Sequence, residues 1–337
     1  MKLFGIDQIP KNISCTVLYY AGKKEDDIDT IDCAKGIVKA LKRSGYHAEN
    51  VVVTHDNWEE KVRSSGDVVF NLVEDETWEL YANVAKRLEK LGKAQVGQNV
   101  AGLTYVTEKA LLKRLMKEKR ISTPPFTIYK TIPTGSQTSI PFPVIVKPSH
   151  EHAGIGISQK SVVSDSVSMN KQIKFCLDNF QGEVIAESYI KGREIHVTVM
   201  GNGKHIHALP LCEILFAGKF MKNWSVYSYD AKWEKKSWEY TDARVLAPAK
   251  MDTVLVKNIQ ELAVKAYRAF KCIDIVRMDV RVDENNIPYI VDLNMNPSLN
   301  YYDKQDATLA SVYALGWTYE HFIEVLVAIA YKRIQKT

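Results

Sequence analysis

Residues 274 to 296, DIVRMDVRVDENNIPYIVDLNMN, carry the densest set of side chains able to do chemistry. Polar Arg277, Asp279 and Arg281 alternate with Val276, Met278 and Val280; further on, Asp292 and Asn294 alternate with Val291, Leu293 and Met295. A period of two places each polar set on one face of its strand. Asn285-Asn286 reads as a two-residue hairpin turn. The symmetric register about it sets Asp279 opposite Asp292 and Arg277 opposite Asn294. Two opposed carboxylates repel in a bare sheet. A divalent cation with oxygen ligands from Asp279, Asp292 and Asn294 removes that repulsion and suits magnesium. The same pattern also fits a polar outer face on which Arg277 or Arg281 neutralises the aspartates, and spacing alone leaves both readings open.

The segment VIVKPSHEHAGIGIS, residues 144 to 158, delivers Lys147 from a buried-type strand into a loop with Gly154 and Gly156. Glycines let backbone N–H groups turn toward a phosphate, and a lysine supplies point charge. Taken alone, a surface hairpin is the commoner meaning of such a stretch. Glu187 and Glu194 bracket AESYIKGREIH, where carboxylates suit ribose hydroxyls or an exocyclic amine; by themselves they read more readily as exposed strand-end charges. His150, His152, His196, His205 and His207 offer no third ligand at zinc spacing, and no serine or cysteine nucleophile motif stands out.

These residues need strands and helices to hold them. The first third alternates strand-like runs at 16–20, 51–54 and 67–73 with helical periodicity over 30–43 and 76–91, the pattern of a parallel sheet with crossover helices. From residue 107 a smaller α+β unit follows. It has a helix to 119, a break at Thr123-Pro124-Pro125, strands at 126–129, 144–147 and 184–190, and a helix at 165–179. The remainder reads as strands at 194–200 and 205–211, a long functional loop at 219–241, a helix at 252–270, strands at 274–282 and 289–294, and terminal helices. The domains expected are 1–105, 106–192 and 193–337.

The chain has 337 residues, 46% hydrophobic and 25% charged, enough apolar material for more than one core. Its net charge of +5 is spread thinly. The densest basic run, KALLKRLMKEKR at 109–120, repeats apolar residues at helical spacing and reads as a solvated helix face, so no nucleic-acid partner is expected. Five scattered cysteines fit buried thiols in a reducing, cytoplasmic setting. No signal peptide or membrane span is expected.

In this order, the pieces TEKALLKRLM, VIVKPSHEHAGIGIS, ESYIKGREIHVTVMG, YSYDAKWEKKSWEY, VRMDVRV and IVDLNMNPS resemble the ATP-grasp superfamily, and most closely the D-alanine:D-alanine ligase family. The resemblance spans roughly Phe70 to Ala330. It implies an N-terminal parallel α/β substrate domain, with central and C-terminal α+β subdomains that sandwich ATP. It places Lys109 and Lys147 on ATP phosphates under a loop of Ala153, Gly154, Ile155 and Gly156. Glu187, Ser188, Tyr189 and Ile190 fall in the hinge strand against adenine, and Glu194 falls on ribose. Asp279, Asp292 and Asn294 match ligands of magnesium, with manganese as a substitute; most of the family has glutamate where Asp292 stands. Lys232 matches a mobile-loop lysine directed at the γ-phosphate, and the long loop at 219–241 is the expected lid. Arg277 matches the arginine that stabilises an acyl phosphate and tetrahedral intermediate, and Ser298 is grouped with these catalytic residues.

The substrate segments depart from the family. YYAGKKEDDID replaces the glycine-rich loop whose glutamate holds the first substrate's amine; Glu25, Asp26 or Asp27 are the available substitutes. NLVEDETWELY replaces a histidine-glycine segment, and Asn296-Pro297-Ser298 replaces Ser-Pro-Gly. The expectation is therefore an ATP-dependent carboxylate–amine ligase acting on small molecules other than a pair of D-alanines, with a homodimer common in the family. Two other readings are a hydroxyl or thiol acceptor or a small-molecule kinase on the same core, and a non-catalytic nucleotide-binding protein.

Overall fold

The computed structural model describes residues 2–8, 10–22, 25–75, 77–102, 108–133 and 139–335, with the side chains of Glu25 and Asp26 outside the description. The chain starts with alternating strands and helices: β1 (Ser14–Tyr19), α1 (Glu25–Arg43), β2 (His47–Val52), α2 (Trp58–Ser64), β3 (Val68–Leu72), α3 (Glu79–Lys90) and β4 (Ala94–Val96). The strands form one parallel sheet in the order β2-β1-β3-β4. Central β3 is buried at all five positions because helices cover both faces of the sheet. Leu18 and Val69 pack against α2 and α3, whereas Val17, Val68 and Phe70 pack against α1. Edge strand β2 begins at His47, earlier than the apolar run at 51–54. Its first half, HAEN, leaves His47, Glu49 and Asn50 exposed and so carries no apolar signal.

Next come α4 (Lys109–Glu118), β5 (Phe126–Tyr129), β6 (Val144–Pro148), β7 (Val162–Val163), α5 (Ser166–Asn179) and β8 (Val184–Ser188). Their strands make an antiparallel sheet ordered β5-β8-β6-β7, on which Asp165-capped α5 lies. The expected boundary at 105/106 lies outside the described residues. Leu112 and Met116 of α4 enter the core of the following unit instead of the core under α5.

The last unit contains β9 (Arg193–Asn202), β10 (His205–Ala208), β11 (Cys212–Phe216), α6 (Tyr229–Lys232), α7 (Trp238–Asp242) and β12 (Ala243–Leu246). It continues with α8 (Thr253–Ala269), β13 (Ile275–Val282), β14 (Pro288–Asn294), α9 (Ala307–Ala314) and α10 (Tyr319–Ile334). Its sheet runs β12-β11-β9-β13-β14, with β10 also paired to β9. The terminal helix α10 returns to the first unit and packs in the same core as α1.

Two local expectations change. The stretch 219–241 is not a structureless loop. It contains α6 and α7, each N-capped by a serine (Ser228 and Ser237), over a small core of Phe220, Ala231, Ile214 and Ala243. Its polar, aromatic composition hid two helices too short to show a period. The β13–β14 hairpin also lacks a two-residue Asn285-Asn286 turn. Asp283 and Ile287 close a five-residue loop with Asn286 at φ +60°, and Asp283 Oδ1 accepts from the Asn285 and Ile287 N–H groups. A β-bulge follows, with Val280 opposite Ile290 but Asp279 opposite Asp292. The extra loop residue and the bulge at Val291 offset each other, so Asp279 and Arg277 still face Asp292 and Asn294. The bulge breaks the alternation expected in β14: Ile290 and Leu293 both enter the core, while Val291 turns to a cavity.

Candidate active site

β6, β8, β13 and β14 converge with the glycine loop and α6 around two connected cavities. The smaller, about 100 Å³, is lined by Lys147, Gly154, Glu187, Ser188, Tyr189 and Ile190, with Glu194, Asp279 and Asp292 among the rest. The larger, about 670 Å³, reaches from Lys109, Lys232, Arg277, Asp292 and Asn294 to Ser298 and beyond. Lys109, Glu151, Ile155, Tyr227, Lys232 and Asp292 line both.

At the centre of the smaller cavity, Glu187 is 2% exposed and lies between two buried lysines. Lys147 Nζ donates to Glu187 Oε1 at 2.6 Å and to the Val291 carbonyl at 3.3 Å, the group that the bulge turns inward. Lys113 Nζ approaches Glu187 Oε2 at 2.7 Å and donates to Thr123 Oγ1 at 2.7 Å. Burial alone would raise the Glu187 carboxyl; the two lysines reverse this and hold it below the usual range. Burial pushes the Lys113 ammonium down to about 8 despite Glu187. The trio retains one net positive charge beside the cavity. Lys113 went unread in the sequence because it sits in the basic run at 109–120, where the apolar spacing pointed to a solvated face.

Glu194 accepts from Arg281 Nη1 at 3.0 Å and lies 3.4 Å from His196 Nε2. Arg281 also donates to the carbonyls of Ile190, Gly192 and Ser225, and stands 5.4 Å from the Tyr189 ring centre. It therefore braces the hinge after β8 and does not neutralise an aspartate. That part falls to Arg277, whose Nε donates to Asp279 Oδ1 at 2.9 Å, while Lys109 Nζ donates to Asp292 Oδ2 at 2.8 Å. Burial opposes ionisation of both aspartates, yet Arg277 on one side and Lys109 with Lys147 on the other hold both carboxyls below the ordinary range. Asn294 Oδ1 accepts from the Asn296 N–H at 3.1 Å. Two anionic carboxylates and an amide oxygen on facing strands form a hard-oxygen donor set suited to magnesium.

The glycine loop is held by shape. Gly154 has φ +85°, and a Cβ there would stand 3.0 Å from the Tyr229 nitrogen; Gly156 has φ +76°, and its Cβ would meet Pro148 at 2.8 Å. Ala153 also has positive φ, and its carbonyl accepts from Trp233 Nε1 at 3.0 Å, joining this loop to α6. The Ile155 N–H donates to the His152 carbonyl at 2.8 Å, so Ile155 presents its side chain to the cavities. Ala153 lines the larger cavity only, and Gly156 lines neither. Lys232, the last residue of α6, points over the Tyr227 ring at 5.1 Å from its centre, and burial lowers its ammonium.

Ser298 donates to Asp29 Oδ2 at 2.8 Å, and Asn300 Nδ2 donates to Asp29 Oδ1 at 2.6 Å. This contact ties α1 to the segment after β14. Asp29 was absent from the expected substitutes; Glu25 and Asp26 lie outside the described side chains, and Asp27 lines the larger cavity. Asn296 bonds to Glu74, and His196, Asp303 and Asp306 also line this cavity without any motif to announce them. All five cysteines are free and buried.

The sequence model of the D-ala D-ala ligase C-terminus family matches residues 117–328. The chain belongs to this family. It is 28% identical over 275 residues to an uncharacterised protein of Sinorhizobium fredii, covering 80% of this chain and 76% of that one. It is also 28% identical over 289 residues to a D-alanine–D-alanine ligase of Bordetella petrii, with 84% and 82% covered. Among solved structures, the D-alanine–D-alanine ligase of Bacillus anthracis complexed with ATP superposes at a TM-score of 0.75, with 18% identity over 96% of this chain and 99% of that one. At that identity the likeness establishes the ATP-grasp fold. Outside the family match lie β1 to β4 and α1, which supply Asp27, Asp29 and Cys33 to the larger cavity.

Proposed function

We propose that this ligase-family protein uses ATP to activate a small-molecule carboxylate as an acyl phosphate and then joins it to an amine. The observation that carries the reading is the sharing of Lys109, Lys232 and Asp292 between the groove beside the hinge strand and a larger cavity that also contains Arg277. A phosphoryl group passing from one cavity to the other meets all four side chains. A mere nucleotide binder has no use for Arg277 on the substrate side.

Lys109, Lys147 and Lys232 bind phosphate oxygens, Ser188 to Ile190 border the base, and Glu194 takes ribose hydroxyls. Asp279, Asp292 and Asn294 hold magnesium, which when bound supplies Lewis-acid charge to the phosphates. In the first step a substrate carboxylate oxygen attacks the γ-phosphorus. The bond to the β-phosphate oxygen breaks, and ADP leaves with the electron pair. In the second step an uncharged amine attacks the acyl carbon, Arg277 stabilises the resulting oxyanion, and the acyl–oxygen bond breaks, so that phosphate departs with the proton lost by the nitrogen as the amide forms. The 219–241 segment, through Trp233 and Tyr229, closes the glycine loop over the site and excludes water from the acyl phosphate.

The substrates are not two D-alanines. Support for this comes from the cavity wall, where Asp29 holds Ser298 and Asn300 in place of the family's glycine-rich loop and Ser-Pro-Gly arrangement. The test is ADP release with magnesium and pooled D- and L-amino acids, other carboxylates and amines, with mass spectrometry on active pools. A new amide that requires both a carboxylate and an amine supports the reading. D-alanyl-D-alanine as the preferred product contradicts its substrate half, and silence from every pool contradicts the reaction.

A further inference from the structure

We propose that Lys113 is a positioning residue for ATP: acting through Glu187, it keeps the positive charge of Lys147 free for a phosphate. This role rests on the reading of the smaller cavity as the nucleotide groove. It is independent of which substrates the larger cavity takes.

The two lysines that flank Glu187 differ in what they can reach. Lys113 is 2% exposed and lines neither cavity. Its ammonium has an acceptor for each N–H: Glu187 Oε2 at 2.7 Å, Thr123 Oγ1 at 2.7 Å and the Ile290 carbonyl at 3.4 Å. Thr123 donates its own hydroxyl to the same carbonyl at 2.8 Å, which closes the slot. Lys147 is also buried, yet it lines the smaller cavity. Among the described residues its acceptors are Glu187 Oε1 and the Val291 carbonyl, so one N–H is left at the wall of the groove. A ligand oxygen there would complete it.

The elements fix this division. In the antiparallel pairing of β6 with β8, Ile145 stands opposite Glu187 and Ile185 opposite Lys147, so Lys147 and Glu187 are diagonal neighbours on one face. Lys109 and Lys113 are four residues apart on α4 and share one side of that helix. Lys109 reaches the cavities, and Lys113, one turn later, reaches Glu187 from behind. Lys147 and Glu187 alone make a neutral pair, which attracts an anion weakly. Lys113 neutralises Glu187 from the side away from the groove, and the trio then presents one net positive charge through Lys147. A lysine that merely filled the slot would leave every ligand of the groove equally affected by its loss.

The experiment compares two ligands on the full chain: a non-hydrolysable ATP analogue with magnesium, by calorimetry, and adenosine, by saturation-transfer NMR. The ratio of the two affinities isolates the phosphates. Lys113→Met leaves Lys147 and Glu187 as a neutral pair and should lower that ratio roughly tenfold or more, the order of one unit charge acting across a partly screened site. Lys113→Gln takes its place if the methionine variant does not fold. The double variant Lys113→Met/Glu187→Gln leaves Lys147 as a lone cation and should restore the wild-type ratio. Glu187→Gln alone should hold the ratio at or above the wild-type value. Equal losses of ATP analogue and adenosine in Lys113→Met assign a structural role and overturn the inference, as does a ratio that the double variant fails to recover. A wild type that binds neither ligand overturns the nucleotide reading together with it. Tight wild-type binding with a ratio indifferent to Lys113→Met rejects this inference alone.

Discussion

The two ends of the active-site cavity treat charge in opposite ways. At the nucleotide end each buried acid has a cation: Glu187 has Lys113 and Lys147, Asp292 has Lys109, Asp279 has Arg277, and Glu194 has Arg281. At the far end Asp29 is held by neutral donors, and Asp306 caps α9. The first arrangement is stiff and electrostatically complete, as positioning a phosphoryl group demands. The second relies on neutral donors and a helix cap in place of ion pairs.

The largest effect should come from breaking the complete end. Glu187→Ala leaves two buried lysines facing each other and should cost about 3–5 kcal/mol of stability in urea unfolding. Glu187→Gln, which keeps the shape, should fall between this variant and the wild type. Arg277→Ala should lower the rate of ADP release about 10²- to 10³-fold, the loss of one oxyanion donor, with a smaller change in nucleotide binding by calorimetry.

The incomplete end has its own pH signature. The folded-state Asp306 carboxyl is raised to about 7, so between the unfolded carboxylate range and pH 7 the folded chain holds a proton that the unfolded chain has released. Its contribution is present at low pH and is lost as pH rises through 7, at no more than about 1.4 kcal/mol per pH unit. The stability of the wild type relative to Asp306→Asn should therefore fall from pH 4 to pH 8 in urea unfolding. The paired carboxylates Glu187, Asp279 and Asp292 act in the opposite sense, and taking this difference cancels them. The smallest effect belongs to the loop joining the ends. Gly154→Ala forces a side chain at φ +85° into contact with Tyr229, at a cost of about 1–2 kcal/mol. It should weaken ATP binding more than amine binding.

Sequence and structure agree best where chemistry and strand period reinforce one another. The facing pairs Asp279/Asp292 and Arg277/Asn294 followed from alternation, although by a route that missed a longer loop and a compensating bulge. Lys113 was hidden because helical spacing cannot tell a lysine aimed at a buried glutamate from one aimed at water. The partner glutamate lies 74 positions away in sequence, with the separation fixed only by the fold. Asp29, Asp303 and Asp306 were hidden for the same reason, since they meet only when α1 packs beside the segment after β14. The helices α6 and α7 were missed because four or five residues are too few to establish a period.

The central claim is that the cation-rich end activates a carboxylate for transfer. The most direct measurement is hydroxylamine trapping with ATP, magnesium and a carboxylate pool, read against ADP release in the same samples. Hydroxamate and ADP appearing in equal amounts, both lost in Arg277→Ala, is the predicted result. ADP without hydroxamate, accompanied by a stable phosphorylated product, would show phosphate transfer to another group and contradict the account.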